Sequence, residues 1–303
     1  MRKFRLALVV AETNEYQHEQ TKVSQALAPQ LDIELEVVPI EDDAITQSQK
    51  ILNLLQRRPE ARPNGILFEP AGTPLAQAAR LAASAGVGWV VLNREADYLT
   101  SLRQSFPKTP MFSVSTSHIE VGRIQGAQIR ALLPLRGTVL LIQGPSTNLA
   151  ATLRTTGMES TKPASVDVHT IRGRWSELSG YTAAKAWLAL SSSPQLGVKV
   201  VAAQNDAMAL GACKAFHEST AAGSRPSWLD VAFIGCDGLP EVGQAAVRQG
   251  LLAATVVIPP NAGTALEALV KALRTGVQPP EIILTTPTSH PPANSLKPIA
   301  AAQ

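Results

Sequence analysis

The 303-residue chain is poor in aromatics (4%) and in cysteine (two), and no apolar run approaches the ~20 residues of a membrane helix. Each shortage excludes something. Cys213 and Cys236 fit no CxxC or zinc spacing, so they read as small buried hydrophobes, with a mutual disulfide left open. The five histidines (His18, His118, His169, His217, His290) stand apart in sequence and suggest no metal site. With 27 Lys and Arg against 24 Asp and Glu, scattered and without a basic block, the net charge of +3 is no nucleic-acid footprint. Catalytic signatures are missing as well. No G-x-G-x-x-G follows the first apolar run, and there is no P-loop, no G-x-S-x-G elbow and no HExxH. Tyr181-x-x-x-Lys185 matches a reductase pattern, but one common by chance and set here in a helical stretch. The chain is expected to be no enzyme, and to use neither a cofactor nor a metal.

What the chain has is alternation. Short apolar runs at 5–10, 33–38, 65–68, 88–92, 111–114, 138–142, 166–171, 198–202, 231–234 and 253–257 read as strands. Helical periodicity fills 19–27, 44–56, 74–85, 119–133, 178–190, 207–218, 239–249 and 261–275. Apolar strands alternating with amphipathic helices build right-handed βαβ units around parallel sheets. Ten strands exceed a comfortable single sheet, so two are predicted, with a break near residues 115–118 and two halves of like architecture. The tail from Thr285, rich in Pro, Ser and Thr, predicts extended packing or disorder.

Ligands of open parallel sheets sit at the carboxyl ends of the strands. Here those ends carry amides and carboxylates, which grip hydroxyls but supply no nucleophile. In the loop 12–18, Asn14 or Thr13 can cap the next helix; the density of polar groups across Asn14, Glu15, Tyr16, Gln17 and His18 equally suits a ligand. After the third strand, Thr73 before Pro74 is a predicted N-cap, and Glu69 can accept from hydroxyls or pair with Arg94. After the fourth, Asn93 precedes Arg94, whose fork of donors suits hydroxyls, a carboxylate, or a salt bridge to Glu69 or Glu95. Trp175, beside Arg174 and Ser176, is placed to stack on a sugar ring or to join the core. Asn205 and Asp237 complete the set at the ends of two later strands.

Together these segments resemble the type I periplasmic sugar-binding proteins of the ribose/galactose-binding class, which share their fold with the ligand domain of lac-type repressors. The matching positions are 6–10 with Asn14 after them, Pro70, 90–94, Arg154 with Gly157, and 234–238. The most specific string is Gln204-Asn205-Asp206-x-Met208-Ala209-Leu210-Gly211. The resemblance implies an α/β fold of two doubly wound parallel-sheet lobes joined by a three-crossover hinge. Residues 1–116 plus 259–284 would form the N-terminal lobe, and 117–258 plus 285–303 the C-terminal lobe. It implies a small sugar-like or polyol ligand held between the lobes, a monomer or homodimer, and delivery to a membrane transporter permease or a sensor partner. By position, Asn93 and Arg94 would grip ring hydroxyls, Asn205 and Asp237 would be the second-lobe amide and carboxylate, Trp175 would stack, and residues 15–18 would add first-lobe contacts.

The chain departs from that pattern in four places. Glu69 stands where the family commonly has Asn. Thr152 stands where it has a second-lobe arginine, Gln17 and His18 where it has paired aromatics, and Ile258 where it has a hinge Gln. A ligand other than ribose is expected, carrying a basic or amide group for Glu69 to meet. The repressor branch needs a helix-turn-helix ahead of the first strand, which here starts at once, so nucleic-acid binding is not expected. The resemblance implies a periplasmic location. The apolar start reads as a core strand and not as an export signal, which keeps open the alternative of a cytosolic ligand sensor related to repressor cores without a DNA-binding domain.

Overall fold

A computed structural model of the chain describes residues 3–41, 43–72, 75–190, 192, 196–221, 228 and 230–299. In chain order the elements begin β1 (Phe4–Ala11), α1 (Glu15–Leu27), β2 (Ile33–Ile40), α2 (Ala44–Leu55), β3 (Gly65–Phe68), α3 (Ala76–Ser84), β4 (Gly88–Leu92), α4 (Tyr98–Ser105) and β5 (Met111–Thr116). Then come α5 (His118–Leu132), β6 (Gly137–Gln143), α6 (Leu149–Thr161), β7 (Val166–Arg172), α7 (Glu177–Leu188), β8 (Val198–Ala203), α8 (Asp206–Ala221), β9 (Ala232–Asp237), α9 (Gly243–Arg248) and β10 (Ala254–Val257). The chain closes with α10 (Asn261–Thr275), β11 (Ile282–Thr285) and β12 (Thr288–His290). It divides into two compact units: one runs up to Thr116 and takes in Pro260–Thr285; the other holds Ser117–Pro259 and the chain from Thr286 on.

The first unit holds a six-stranded sheet in the order β11-β5-β4-β3-β1-β2, with every pairing parallel. A parallel sheet is buried on both faces, and the apolar runs serve both. Along β1, Ala7, Val9 and Ala11 pack under α2, α3 and α4, while Leu6, Leu8 and Val10 pack under Ala262, Leu266 and Leu269 of α10. The second unit repeats the plan in the order β12-β10-β9-β8-β6-β7, parallel except for β12, which runs antiparallel to β10. Trp187, Phe216 and Ala246 from α7, α8 and α9 cover one face; Ile129 and Met158 from α5 and α6 cover the other. Its helices meet in pairs at glycines. A Cβ on Gly157 would lie 2.0 Å from the Ile119 carbonyl oxygen, one on Gly122 2.0 Å from that of Arg154, and one on Gly211 2.0 Å from that of Glu177. Only a missing side chain lets α5 approach α6, and α7 approach α8, this closely.

Several expectations change. The helix placed at 239–249 is the single turn-and-a-half α9, because Gly238 and Pro240 hold the preceding backbone in a turn. The predicted cap by Thr73 and Pro74 lies outside the described residues. The tail up to residue 299 takes the extended packing that was one of the two expectations: β12 joins the sheet, and the Ile299 amide donates to the Leu132 carbonyl at 2.9 Å. Cys213 and Cys236 are buried free thiols.

Candidate functional site

In the first unit the strand order reverses between β1 and β3; in open parallel sheets such a switch point is where ligands lie, at the carboxyl ends of the strands. Asn14 caps α1, its Oδ1 accepting the Gln17 amide at 3.0 Å, which sets the direction of the helix leaving β1. Gln17 is buried and turns its Oε1 back to accept from the Thr13 amide (3.1 Å) and hydroxyl (2.8 Å). Glu15 and His18 are exposed, and the His18 ring nitrogen meets the Glu12 carbonyl at 2.8 Å. The Tyr16 hydroxyl donates to Asn93 Oδ1 at 3.4 Å. The same oxygen accepts from Asn261 Nδ2, and Asn261 Oδ1 in turn accepts from the Thr285 hydroxyl at 2.8 Å. Glu69 is half-buried just past β3. Its carbonyl accepts from Gln47 Nε2 at 2.6 Å, while the Ala71 amide donates to Gln47 Oε1 at 3.0 Å, so Gln47 clamps that loop. Arg94 is exposed and donates to the Gly72 carbonyl at 2.8 Å, a second tie on the same loop.

In the second unit the switch point lies between β6 and β8. Gln204 fills it: its Oε1 accepts from the Gly144 amide, and its Nε2 donates to the Ala151 carbonyl, both at 2.9 Å. Arg154 of α6 reaches over from beyond it. Its guanidinium donates to the Gln204 carbonyl, lies 3.8 Å from the Asp237 carboxylate, and stands 5.7 Å above the Trp175 ring centroid. The Arg154 Nε–H is buried with no hydrogen-bond partner, so this cation is under-satisfied. Burial pushes the Asp237 carboxyl up to about 6 against the lowering pull of Arg154. The Trp175 ring lies against Gly144, where a Cβ would sit 2.2 Å from the indole. Asn205 Nδ2 donates to the Trp175 carbonyl at 2.9 Å, and its Oδ1 accepts the Met208 amide at 3.0 Å. Asn205 therefore holds the tryptophan and caps α8.

The backbone marks the same places. Among the described residues, four non-glycines have positive φ: Asp32, Asn93 (59°), Trp175 (63°) and Asp237 (97°). Asp237 ends β9, Asn93 directly follows β4, and Trp175 lies in the loop between β7 and α7. A bulky residue such as Trp is a genuine outlier at positive φ, and each such residue stores roughly 1–3 kcal/mol unless its surroundings hold it. Among the described residues there is no group of three or more potential metal-ligating side chains, and no helix long and apolar enough to cross a membrane.

The profile of the periplasmic binding protein domain matches residues 7–276. The chain belongs to that family. Among solved structures, a galactofuranose-binding protein superposes with a TM-score of 0.78 at 21% identity, covering 94% of each chain. An ABC transporter solute-binding protein from Actinobacillus succinogenes with bound D-allose gives 0.80 at 19%, covering 95% of this chain and 97% of that one. One from Bacillus halodurans with bound myo-inositol gives 0.77 at 20%, covering 95% and 94%. A putative rhizopine-binding protein of Rhizobium meliloti is 27% identical over 190 residues, 60% of this chain; the match spans little more than half of that relative, 57%.

In this periplasmic binding protein domain the structure brings Tyr16, Asn93 and, through its capped helix, Asn14 and Gln17 into one polar cluster, and Trp175, Asn205 and Asp237 into another. Thr152 is exposed on α6, two positions from Arg154; residues two apart on a helix face different ways. The arginine that Thr152 replaces in the family pattern is thus missing from position 152, and the cation near Asp237 is Arg154. Asn261, Gln204 and Asp206 stand outside the expected ligand residues, although Gln204 and Asp206 belong to the string 204–211. Tyr181 is half-buried against the core and Lys185 is exposed; Tyr181 donates to Glu218 at 2.6 Å and accepts from Lys185 at 3.0 Å.

Proposed function

We propose that the chain is a solute-binding protein whose two units close on one small polyhydroxylated molecule, a monosaccharide or related polyol. It would act in the periplasm, handing its ligand to an ABC-type transporter or a signalling partner, and would catalyse no reaction. The observation that carries this reading is the coincidence of backbone strain with the carboxyl ends of β4 and β9, at Asn93 and Asp237, and with the loop after β7, at Trp175. Strain kept at a strand's carboxyl end fits a preorganised binding surface better than it fits packing. The division of labour follows from the chemistry. Asn93, held by Asn261, offers its amide to hydroxyls, Arg154 and Asp237 offer a fixed donor–acceptor pair, and the Trp175 face covers the apolar side of a ring. Glu15, Tyr16, Gln17, His18, Glu69 and Arg94 would line the rim of the first unit, with Glu69 available to an amine or amide on the ligand. Closure would be a hinge motion stabilised by contacts to both units. The relatives' sugars, allose and myo-inositol among them, support the class of ligand and not its identity.

Thermal shift against D-galactose, D-ribose, D-allose, myo-inositol and D-glucosamine tests this. A specific ligand at 1,000 times its dissociation constant adds ~4 kcal/mol and raises the melting temperature. Arg154→Ala and Asp237→Ala should each abolish the shift while the unliganded protein stays folded. Retention of full affinity by both variants would overturn the site. Absence of a shift from every polyol and amine at millimolar concentration would overturn the function.

A further inference from the structure

Asp206 was read from sequence as part of a family string, and the ligand site as described does not use it. It is 2% exposed, at the first turn of α8. Its Oδ2 accepts the Gly238 amide at 2.7 Å, and its Oδ1 accepts the Thr255 hydroxyl of β10 at 2.6 Å. Two glycines make room for it: a Cβ on Gly235 would fall 2.2 Å from Oδ1, and one on Gly243 2.0 Å from Oδ2. One carboxyl group thus ties together the start of α8, the end of β9, β10 and the start of α9.

What it holds is a strained turn. Asp237 and Gly238 are both left-handed, at φ 97° and 59°. A Cβ on Gly238 would lie 2.5 Å from the Val257 Cα, so this turn is pressed against β10. The Ile258 amide closes it from the other side, donating to the Asp237 carbonyl at 2.9 Å. An acid at a helix start gains a little from the helix dipole. That gain does not explain why this one is buried beside a second carboxylate, where both burial and the Asp237 charge hold it well above the usual carboxylate range. A neutral side chain would cap α8 without that cost.

We propose that Asp206 is a positioning residue: by gripping the Gly238 amide and the Thr255 hydroxyl, it fixes the left-handed turn that aims Asp237 at Arg154 and at the ligand. The proposal rests on reading Asp237 as a ligand group. The structural alternative, a buried acid that only stabilises α8, predicts lost stability and no change at Asp237.

The test uses the full chain without ligand, with carboxyl-labelled aspartate followed by NMR and with amide hydrogen exchange. Asp206→Ala should raise the Gly238 amide exchange rate ~10-fold or more. It should also move the Asp237 midpoint down by ~1 unit or more, because the released carboxylate reaches water. Asp206→Asn keeps an acceptor for the Gly238 amide and should restore its protection; comparing the Asn and Ala midpoints separates the lost charge from the lost turn. Where Asp206→Ala does not fold, Thr255→Val, which removes one of the two anchors, should move both readouts the same way by less. Unchanged exchange at Gly238 and an unchanged Asp237 midpoint in the folded variant would overturn the proposal.

Binding adds an independent arm, with D-galactose and myo-inositol as probes. Asp206→Ala should weaken binding ~10-fold or more in the wild-type background and no further in an Asp237→Asn background. An equal loss in both backgrounds would overturn the proposal. If Asp237→Asn keeps full affinity, it is the reading of the ligand site that fails, and the exchange and titration results still decide whether Asp206 positions Asp237.

Discussion

Asp237 makes folding stability depend on pH in an unusual direction. An ordinary paired carboxylate lowers its pKa on folding and stabilises at neutral pH. Here burial wins over Arg154, and the carboxyl rises from 3.8 to about 6. The folded state therefore holds its proton more tightly than the unfolded chain. The contribution is fully present below the unfolded value and is lost as pH climbs through the folded one. The shift is about 2 units, at 1.36 kcal/mol each, or about 3 kcal/mol over the whole window. Between pH 4 and pH 7.5 about 2–3 kcal/mol of it is accessible, since the unfolded carboxyl is already partly ionised at pH 4. Asp237→Asn removes this term. It also leaves Arg154 without its partner, but an arginine stays charged throughout, so that cost is a constant offset. Urea unfolding of both proteins at half-unit intervals reads this term together with its coupling to Asp206, whose carboxyl the Asp237 charge also raises; the coupling acts in the same direction, because removing that charge brings Asp206 closer to its unfolded value. The stability of wild type relative to Asp237→Asn should fall by about 2–3 kcal/mol from pH 4 to pH 7.5. A difference that stays flat within ~1 kcal/mol, or that grows with pH, would refute the account of this site as a buried, reluctant anion.

Three further outcomes are expected. Gly144→Ala puts a methyl 2.2 Å from the Trp175 indole, so the ring must move; ~1–3 kcal/mol of stability and ~10-fold in sugar affinity should be lost, read by urea unfolding and calorimetry. Gly157→Ala and Gly211→Ala each drive a Cβ into a neighbouring helix's backbone, and should cost ~3 kcal/mol or more; a loss under ~1 kcal/mol would show that the helix pairs are not held at that distance. Asn205→Ala removes the α8 cap and the bond to the Trp175 carbonyl, so stability should fall by ~1–2 kcal/mol whether or not ligand is present. An Asn205 acting only on ligand would leave the unliganded melting temperature unmoved.

The two-sheet plan was legible because parallel strands are buried on both faces, and continuous apolar runs such as 65–68 and 88–92 coincide with β3 and β4. The edge strands were not. β11 alternates exposed and half-buried residues, and β12 has three residues; neither carries enough burial to stand out from a polar tail. α4 and α6 were overlooked because their apolar stripes are broken by Thr and Ser. The site was legible as strand ends but not as partners. Asn93 and Asp237 are visible in sequence. The residues that hold them are remote: Asn261 lies 168 positions from Asn93, and Asp206 starts α8 whereas Asp237 ends β9. Arg154 was visible as a matching position but not as the partner of Asp237, because which residue of α6 faces Asp237 depends on the rotation of the helix, and α6 packs on α5 at Gly122 and Gly157.

Holding three strained residues costs roughly 3–9 kcal/mol if each falls in the usual range for such backbones. That is comparable to the entire stability of an ordinary domain, ~5–15 kcal/mol. The strain persists only because specific bonds offset it: Asn205 on the Trp175 carbonyl, Ile258 on the Asp237 carbonyl, Asp206 on the Gly238 amide, Asn261 on the Asn93 side chain. Three of these act through a side chain that need not touch a ligand, and the fourth is a backbone amide. On the proposed reading, in which Asn93, Trp175 and Asp237 face the ligand, those groups are already placed, so binding need not order them. Specificity here is then not a property of the ligand-facing residues alone. Exchanging Asn93 or Asp237 to change the ligand would leave Asn261 or Asp206 holding a turn with the wrong side chain on it. An altered specificity should therefore require paired substitutions at the holding residue as well as at the residue it holds.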